Sequence, residues 1–222
     1  MRAAVAGAVV AALAAQGAAG AAPRKVCRLL GPSTGATVAG PNAALDIASA
    51  DVASNAKTLT AVIRMRTLDD PQAAVSGRTF LFYFSRSVEE SYALAGTLWG
   101  STPGRFALGA MSEPFHPQAN EATIVDATWF APVTATVDRR AKEVRMSVPL
   151  SAFRTRPASS VRNGATVTYL GAEVARTYGT NRDALPAAPP EGVPTDVGTG
   201  GRWTYTGTKV TYRLGTPSCL RP

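Results

Sequence analysis

The pattern Gly31-Pro32-Ser33-Thr34-Gly35 is the first feature of this sequence that could do chemistry, because G-x-S-x-G is the turn that exposes the catalytic serine of many hydrolases. That turn lies between a strand and a helix, whereas residues 36–41 have the composition of a loop. His116, the only histidine, lies between Phe and Pro, and a general base needs a partner that the sequence does not supply. We therefore expect neither Ser33 nor His116 to be catalytic.

Paired carboxylates would support glycoside hydrolysis, which uses two acids that flank the scissile bond. The adjacent pairs are Asp69-Asp70 and Glu89-Glu90. Neighbours in a strand point to opposite faces, and neighbours in a turn usually face water. We therefore expect no catalytic dyad and predict that the chain is not an enzyme. A hydrolase whose acids converge only in the folded chain is the weaker alternative.

Metal and cofactor sites have little support in the sequence. A single histidine excludes sites built from two or three histidines. Calcium takes clustered oxygen ligands, and Asp46, Asp51 and Asp196 are the candidates for such a site. Aspartates at strand ends more commonly form turns. We predict no cofactor, with calcium as the open alternative.

Aromatic side chains near turn residues provide the strongest binding signal. Sugar rings stack their apolar C–H surface on aromatic faces, so exposed tryptophans beside polar groups favour carbohydrate recognition. The candidates for ligand binding are Trp99, Trp129, Trp203 and Tyr205. Trp203 is the first choice for exposure because two glycines precede it. The alternative for each tryptophan is that it closes an end of the hydrophobic core.

Strands must position these side chains, because apolar and polar residues alternate with a period of two along most of the chain. The strand candidates are 45–52, 58–65, 79–85, 91–98, 105–111, 133–138, 143–148, 166–176 and 209–214. The pattern predicts a hairpin with a charged tip at 139–142 and one helical turn at 149–153. The fold class is therefore all-β: an antiparallel, jelly-roll-like β-sandwich of about ten strands, with a long Pro/Gly-rich surface loop at 179–201.

The two ends of the chain indicate export. Residues 1–21 have the basic start, short apolar run and small-residue exit of a signal peptide, which leaves 22–222 as a single sandwich domain. No later run is long enough to span a membrane. Cys27 and Cys219 are the only cysteines, and in a secreted protein an even pair predicts a disulfide. We expect a secreted, extracellular monomer.

The formal net charge of +8 would suit an acidic partner. However, the basic residues are scattered without forming a stripe, so nucleic-acid binding is not expected. The partners that remain are a polysaccharide or a component of the cell envelope.

The order of several segments resembles the secreted β-sandwich domains related to DOMON domains and family-nine carbohydrate-binding modules. The segments that carry the resemblance are 45–52, 59–64, 80–84, 148–150 with Phe153, and Thr195-Asp196 before Trp203 and Tyr205. The resemblance implies a jelly-roll-like binding or accessory domain, in some members with sugar, haem or calcium ligands. Such domains often open with an acidic segment, whereas 31–37 contains no carboxylate. Haem would depend on His116 or one of few methionines.

The leading functional hypothesis is a secreted, non-catalytic ligand-binding or accessory domain whose ligand is a carbohydrate. Its competitor is a structural or interaction protein of the cell envelope with no small-molecule site.

Overall fold

The computed structural model describes residues 29–31, 44–71, 73–74, 76–87, 89–100, 102–111, 127–178, 203–207 and 211–216. Within these residues lie eleven strands and one 3-10 helix, Leu150–Thr155. The strands are β1 Ile47–Ser54, β2 Thr58–Met65, β3 Ser76–Ser85, β4 Ser91–Trp99, β5 Thr102–Met111, β6 Ala127–Pro132, β7 Thr134–Asp138, β8 Glu143–Pro149, β9 Thr166–Tyr178, β10 Trp203–Gly207 and β11 Tyr212–Arg213.

The strands form two sheets, and all of their pairings are antiparallel. The smaller sheet has the order β1-β2-β8-β7. The larger has the order β10-β9-β3-β4-β5-β6, with β11 paired to β9. The predicted all-β sandwich of about ten strands is confirmed, and the jelly-roll connection stays a prediction.

The core lies between the sheets and follows the alternation in the sequence. The predicted inward side chains of β2, β3 and β8 are all buried: Leu59, Ala61, Ile63, Met65, Phe80, Phe82, Phe84, Val144, Met146 and Val148. Burying a large apolar side chain contributes about 1.5–3 kcal/mol, so the three phenylalanines of β3 are major anchors of the larger sheet.

The hairpin of β7 and β8 has the predicted charged tip. Asp138 accepts a hydrogen bond from the Ala141 backbone N–H at 2.9 Å. Lys142 adopts the left-handed conformation, with φ of 56°, and this reverses the chain direction. The predicted helical turn is also present, as the 3-10 helix after Pro149.

The sequence pattern indicates some elements poorly. It does not predict β6 or β10, and among the described residues 211–214 of the predicted strand 209–214 only Tyr212–Arg213 are in a strand, β11. Several predicted features lie outside the described residues: the signal peptide 1–21, Cys27, Ser33, His116, the loop 179–201, Asp196 and Cys219. Along the described chain, no helix has the length and apolar character that a membrane crossing requires.

Candidate functional site

A half-open cleft of about 200 Å³ lies at one end of the sandwich, where β3 turns into β4. Its first wall comes from that connection, its floor from β4 and β5, and its second wall from the loop after the 3-10 helix. In that order, the lining residues are Ser87, Glu89, Glu90 and Ser91, then Tyr92, Ala110 and Met111, then Arg156, Ala158 and Ser159. The lining therefore combines hydroxyl groups, charges of both signs and one aromatic ring.

Glu90 joins the two walls of the cleft. Its Oε1 accepts hydrogen bonds from Tyr92 Oη at 2.8 Å, Ser159 Oγ at 2.9 Å and the Ser160 backbone N–H at 2.8 Å. Its Oε2 accepts a hydrogen bond from Ser160 Oγ at 2.5 Å. Four donors on one carboxylate hold the walls at a fixed separation, because each bond to a charged acceptor is stronger than a neutral one.

An aromatic cluster supports the cleft from below. The ring of Tyr92 meets the edge of Phe153 at a centroid distance of 5.0 Å and that of Phe130 at 6.4 Å. Phe84 lies 5.7 Å from Tyr92 and completes the cluster. Burial raises the pKa of Tyr92 to about 12, so its hydroxyl stays protonated and donates to Glu90 at neutral pH. The ring is thus fixed in the core while its hydroxyl faces the cleft.

The second wall is built by local turns. Pro149 precedes the 3-10 helix, and the Arg156 backbone N–H closes that helix on the Phe153 carbonyl at 3.2 Å. The Ser159 N–H then donates to the Arg156 carbonyl at 2.9 Å. The guanidinium of Arg156 lies 5.6 Å from the centre of the Phe130 ring, within the range of a cation–π contact. This contact orients a positive charge at the rim of the cleft.

The ionisation of Glu90 links this site to pH. Burial alone would raise the pKa of Glu90, but the hydrogen bonds from Ser160, Tyr92 and Ser159 outweigh it and hold that pKa below 4.5. A carboxylate with a lowered folded-state pKa stabilises the fold above its unfolded-state pKa and loses that contribution as pH falls through the folded-state value.

We therefore expect the stability difference between the wild type and Glu90→Gln to be largest near neutral pH and to shrink below about pH 4.5. Urea unfolding across a pH series measures this difference. A difference that stays constant down to strongly acidic pH would show that the charge of Glu90 is not what stabilises the walls.

The aromatic residues predicted from sequence belong to three strands of the larger sheet, β4, β6 and β10. Trp99 is 9 % exposed, and a methyl group added to Gly77 would lie 3.0 Å from its Cε2. Trp129 is half-buried with its ring against Gly109. In β10, the backbone positions of Trp203 and Tyr205 pair with residues 175 and 173 of β9. Neither Trp99 nor Trp129 is among the described residues that line the cleft, and the role of all four aromatic residues in binding stays a prediction.

The two calcium candidates within the described residues, Asp46 and Asp51, have different surroundings. Asp46 Oδ2 lies 3.7 Å from Nε of Arg66, whereas Asp51 is fully buried and accepts the Val52 backbone N–H at 2.8 Å. Within the described part of the chain, no three acidic, cysteine or histidine side chains come together as a metal site.

The expectation that the paired acids face water is wrong for one member of each pair. Asp70 is buried, with 1 % of its side chain exposed, because it pairs with Arg176 and Arg78. Glu90 is held by the four donors described above. Asp69 and Glu89 are exposed, as expected. Loops can bury a charge when other segments supply its partners.

Sequence reasoning missed most of the cleft. Ser159 and Ser160 lie about seventy residues from Glu90 along the chain. Local sequence patterns do not predict contacts between residues that far apart. The burial of Arg78, which is not one of the cleft residues, could have been predicted from the sequence. Arg78 continues the alternation of Phe80, Phe82 and Phe84, which places its side chain on the inward face of β3.

Comparison with known proteins adds no assignment: no family model, no curated protein and no solved structure is found to match this chain. The resemblance to DOMON-like domains consequently stays a proposal.

Proposed function

We propose that the chain is a secreted, non-catalytic binding domain that holds one sugar unit of a polysaccharide in the Glu90 cleft. The observation that carries the proposal is the combination of hydroxyls, charges and an aromatic ring around about 200 Å³. Drug-sized ligands occupy pockets of about 300–1,000 Å³, so this cleft suits a smaller polar unit. Neutral sugars present many hydroxyls, which need donors and acceptors of this kind.

The state of Glu90 supports binding over catalysis. A general acid at neutral pH needs a raised pKa and access to the leaving group. The pKa of Glu90 is instead lowered, and its oxygens accept four hydrogen bonds from the protein itself. Such a carboxylate maintains the shape of the cleft and leaves contact with the ligand to Arg156, Glu89 and the serines.

Filling the cleft tests the proposal. Ala158 is exposed and lines the cleft, so Ala158→Trp should block it without disturbing the core. We expect retention on insoluble cellulose, chitin, xylan or mannan, and a loss of about tenfold or more in affinity for the retained polymer in this variant, which is about 1.4 kcal/mol. Depletion binding isotherms measure the affinity.

The matched control is Ala141→Trp, which adds the same ring to the exposed tip of the β7–β8 hairpin and should leave affinity unchanged. If no polymer retains the wild type, the carbohydrate proposal fails and the structural role in the cell envelope gains support. If Ala158→Trp binds as well as the wild type, the cleft is not the site. Trp203→Ala then tests the aromatic residues predicted from sequence.

A further inference from the structure

Two buried arginines face each other at the opposite end of β3 from the cleft. Arg78 of β3 and Arg176 of β9 are directly paired across the strands, and they are 0 % and 2 % exposed. Like charges placed directly opposite in a sheet repel each other, and burial removes the water that would screen them. Their presence therefore requires negative charge nearby.

Asp70 provides one such charge. Its Oδ2 lies 2.6 Å from Nη1 of Arg176 and 3.4 Å from Nε of Arg78. A guanidinium carries a positive charge in proteins. One buried carboxylate therefore faces two buried cations, with the exposed Asp69 as a more distant contributor. Of the two negative charges described near this arginine pair, only Asp70 is therefore buried.

Among the residues that the structure describes, the Nε of Arg78 makes no hydrogen bond beside Asp70, whereas its two Nη groups donate to the backbone. Nη1 donates to the Ala44 carbonyl at 3.0 Å, and Nη2 donates to the carbonyls of Leu68 and Gly100 at 2.9 and 3.2 Å. Arg78 therefore holds three connections together at this end of the sandwich.

Arg176 differs from Arg78 at Nη2. Its Nη1 donates to Asp70 and, at 3.2 Å, to Ser76 Oγ. Its Nε and Nη2 are buried, and among the described residues neither has a hydrogen-bond acceptor. In a guanidinium these two N–H groups point in parallel from one edge, which is the edge that binds two oxygens of a carboxylate or phosphate side by side.

We propose that the Nε–Nη2 edge of Arg176 binds a small oxyanion, namely a carboxylate, phosphate or sulfate that presents two oxygens on one side. The ion satisfies two buried donors and adds a negative charge beside the two buried cations. This site is separate from the cleft and does not depend on the function proposed for it.

The test is a thermal unfolding series of the full chain with potassium acetate, phosphate or sulfate, each compared with chloride at equal ionic strength. We expect saturable stabilisation by at least one oxyanion, roughly 5–10 °C at about a hundred times its Kd. The most effective anion identifies the class. No saturable increase over chloride with any of the three would overturn the proposal.

Arg176→Lys separates this site from general screening of a chain with net charge +8. Lysine keeps the charge but lacks the two-donor edge, so the response should weaken about tenfold or more. Arg64→Lys is the control, because Arg64 pairs with Glu143 at 2.7 Å on the smaller sheet. Equal stabilisation of the wild type and Arg176→Lys would contradict the site.

A readout on the wild type covers the case in which Arg176→Lys does not fold. In ¹⁵N NMR spectra, one guanidinium Nε–H resonance should shift with the same saturation as the melting temperature. A titration that moves no such resonance would also overturn the proposal.

Discussion

The variant Asp70→Asn is expected to lower the free energy of unfolding by about 3–5 kcal/mol, because it leaves two buried guanidiniums without their shared carboxylate. Asparagine has nearly the same shape, so the loss reports charge and hydrogen bonding rather than a cavity. Urea denaturation measures this loss of free energy of unfolding. A variant that shows no cooperative unfolding transition would have lost the whole of its stability.

The adjacent carboxylate provides the matched control. Asp69 is exposed, so Asp69→Asn should change the free energy of unfolding by no more than about 0.5 kcal/mol. Removing one cation as well should relieve the repulsion, and we expect Asp70→Asn combined with Arg176→Met to be more stable than Asp70→Asn alone. A double variant as unstable as the sum of both single changes would show that charge balance is not what Asp70 provides.

Glu90→Ala is the second variant with a large expected effect. It removes the acceptor of four hydrogen bonds, so the Ser160 N–H and the Tyr92 hydroxyl lose the carboxylate to which they donate. We expect a loss of about 2–3 kcal/mol in the free energy of unfolding, since hydrogen bonds to charged groups contribute more than neutral ones. Urea unfolding at neutral pH measures the loss.

Glu89→Ala is the control for that change, because Glu89 lines the same cleft but is exposed. It should leave stability within about 0.5 kcal/mol of the wild type. Retention on the polymer identified with the wild type adds a second readout. Glu90→Ala should reduce it, because the two walls of the cleft are no longer joined, and full retention would mean that Glu90 stabilises the fold without shaping the binding site.

The alternation of residue types was sufficient to predict the fold class. The inward faces of β2, β3 and β8 follow directly from a period of two, and so does the β7–β8 hairpin, because its turn and both strands are contiguous. The same alternation places Arg78 on the face of the β3 phenylalanines and therefore predicts a buried charge. The amino-acid composition does not show this. Local periodicity is reliable here because each strand has one face against a common core.

The partners of the charged groups were decided by the tertiary structure. Glu90 meets Ser159 and Ser160, and Arg176 meets Asp70, across separations of about 70 and 106 residues. A carboxylate in a loop has the same local sequence whether it faces water or two buried guanidiniums, and only the stacking of the sheets brings its partners within hydrogen-bond distance. The sequence by itself therefore determined a two-sheet β protein, whereas the cleft forms, and Asp70 reaches the arginine pair, only because the folded sheets bring distant segments together at their ends.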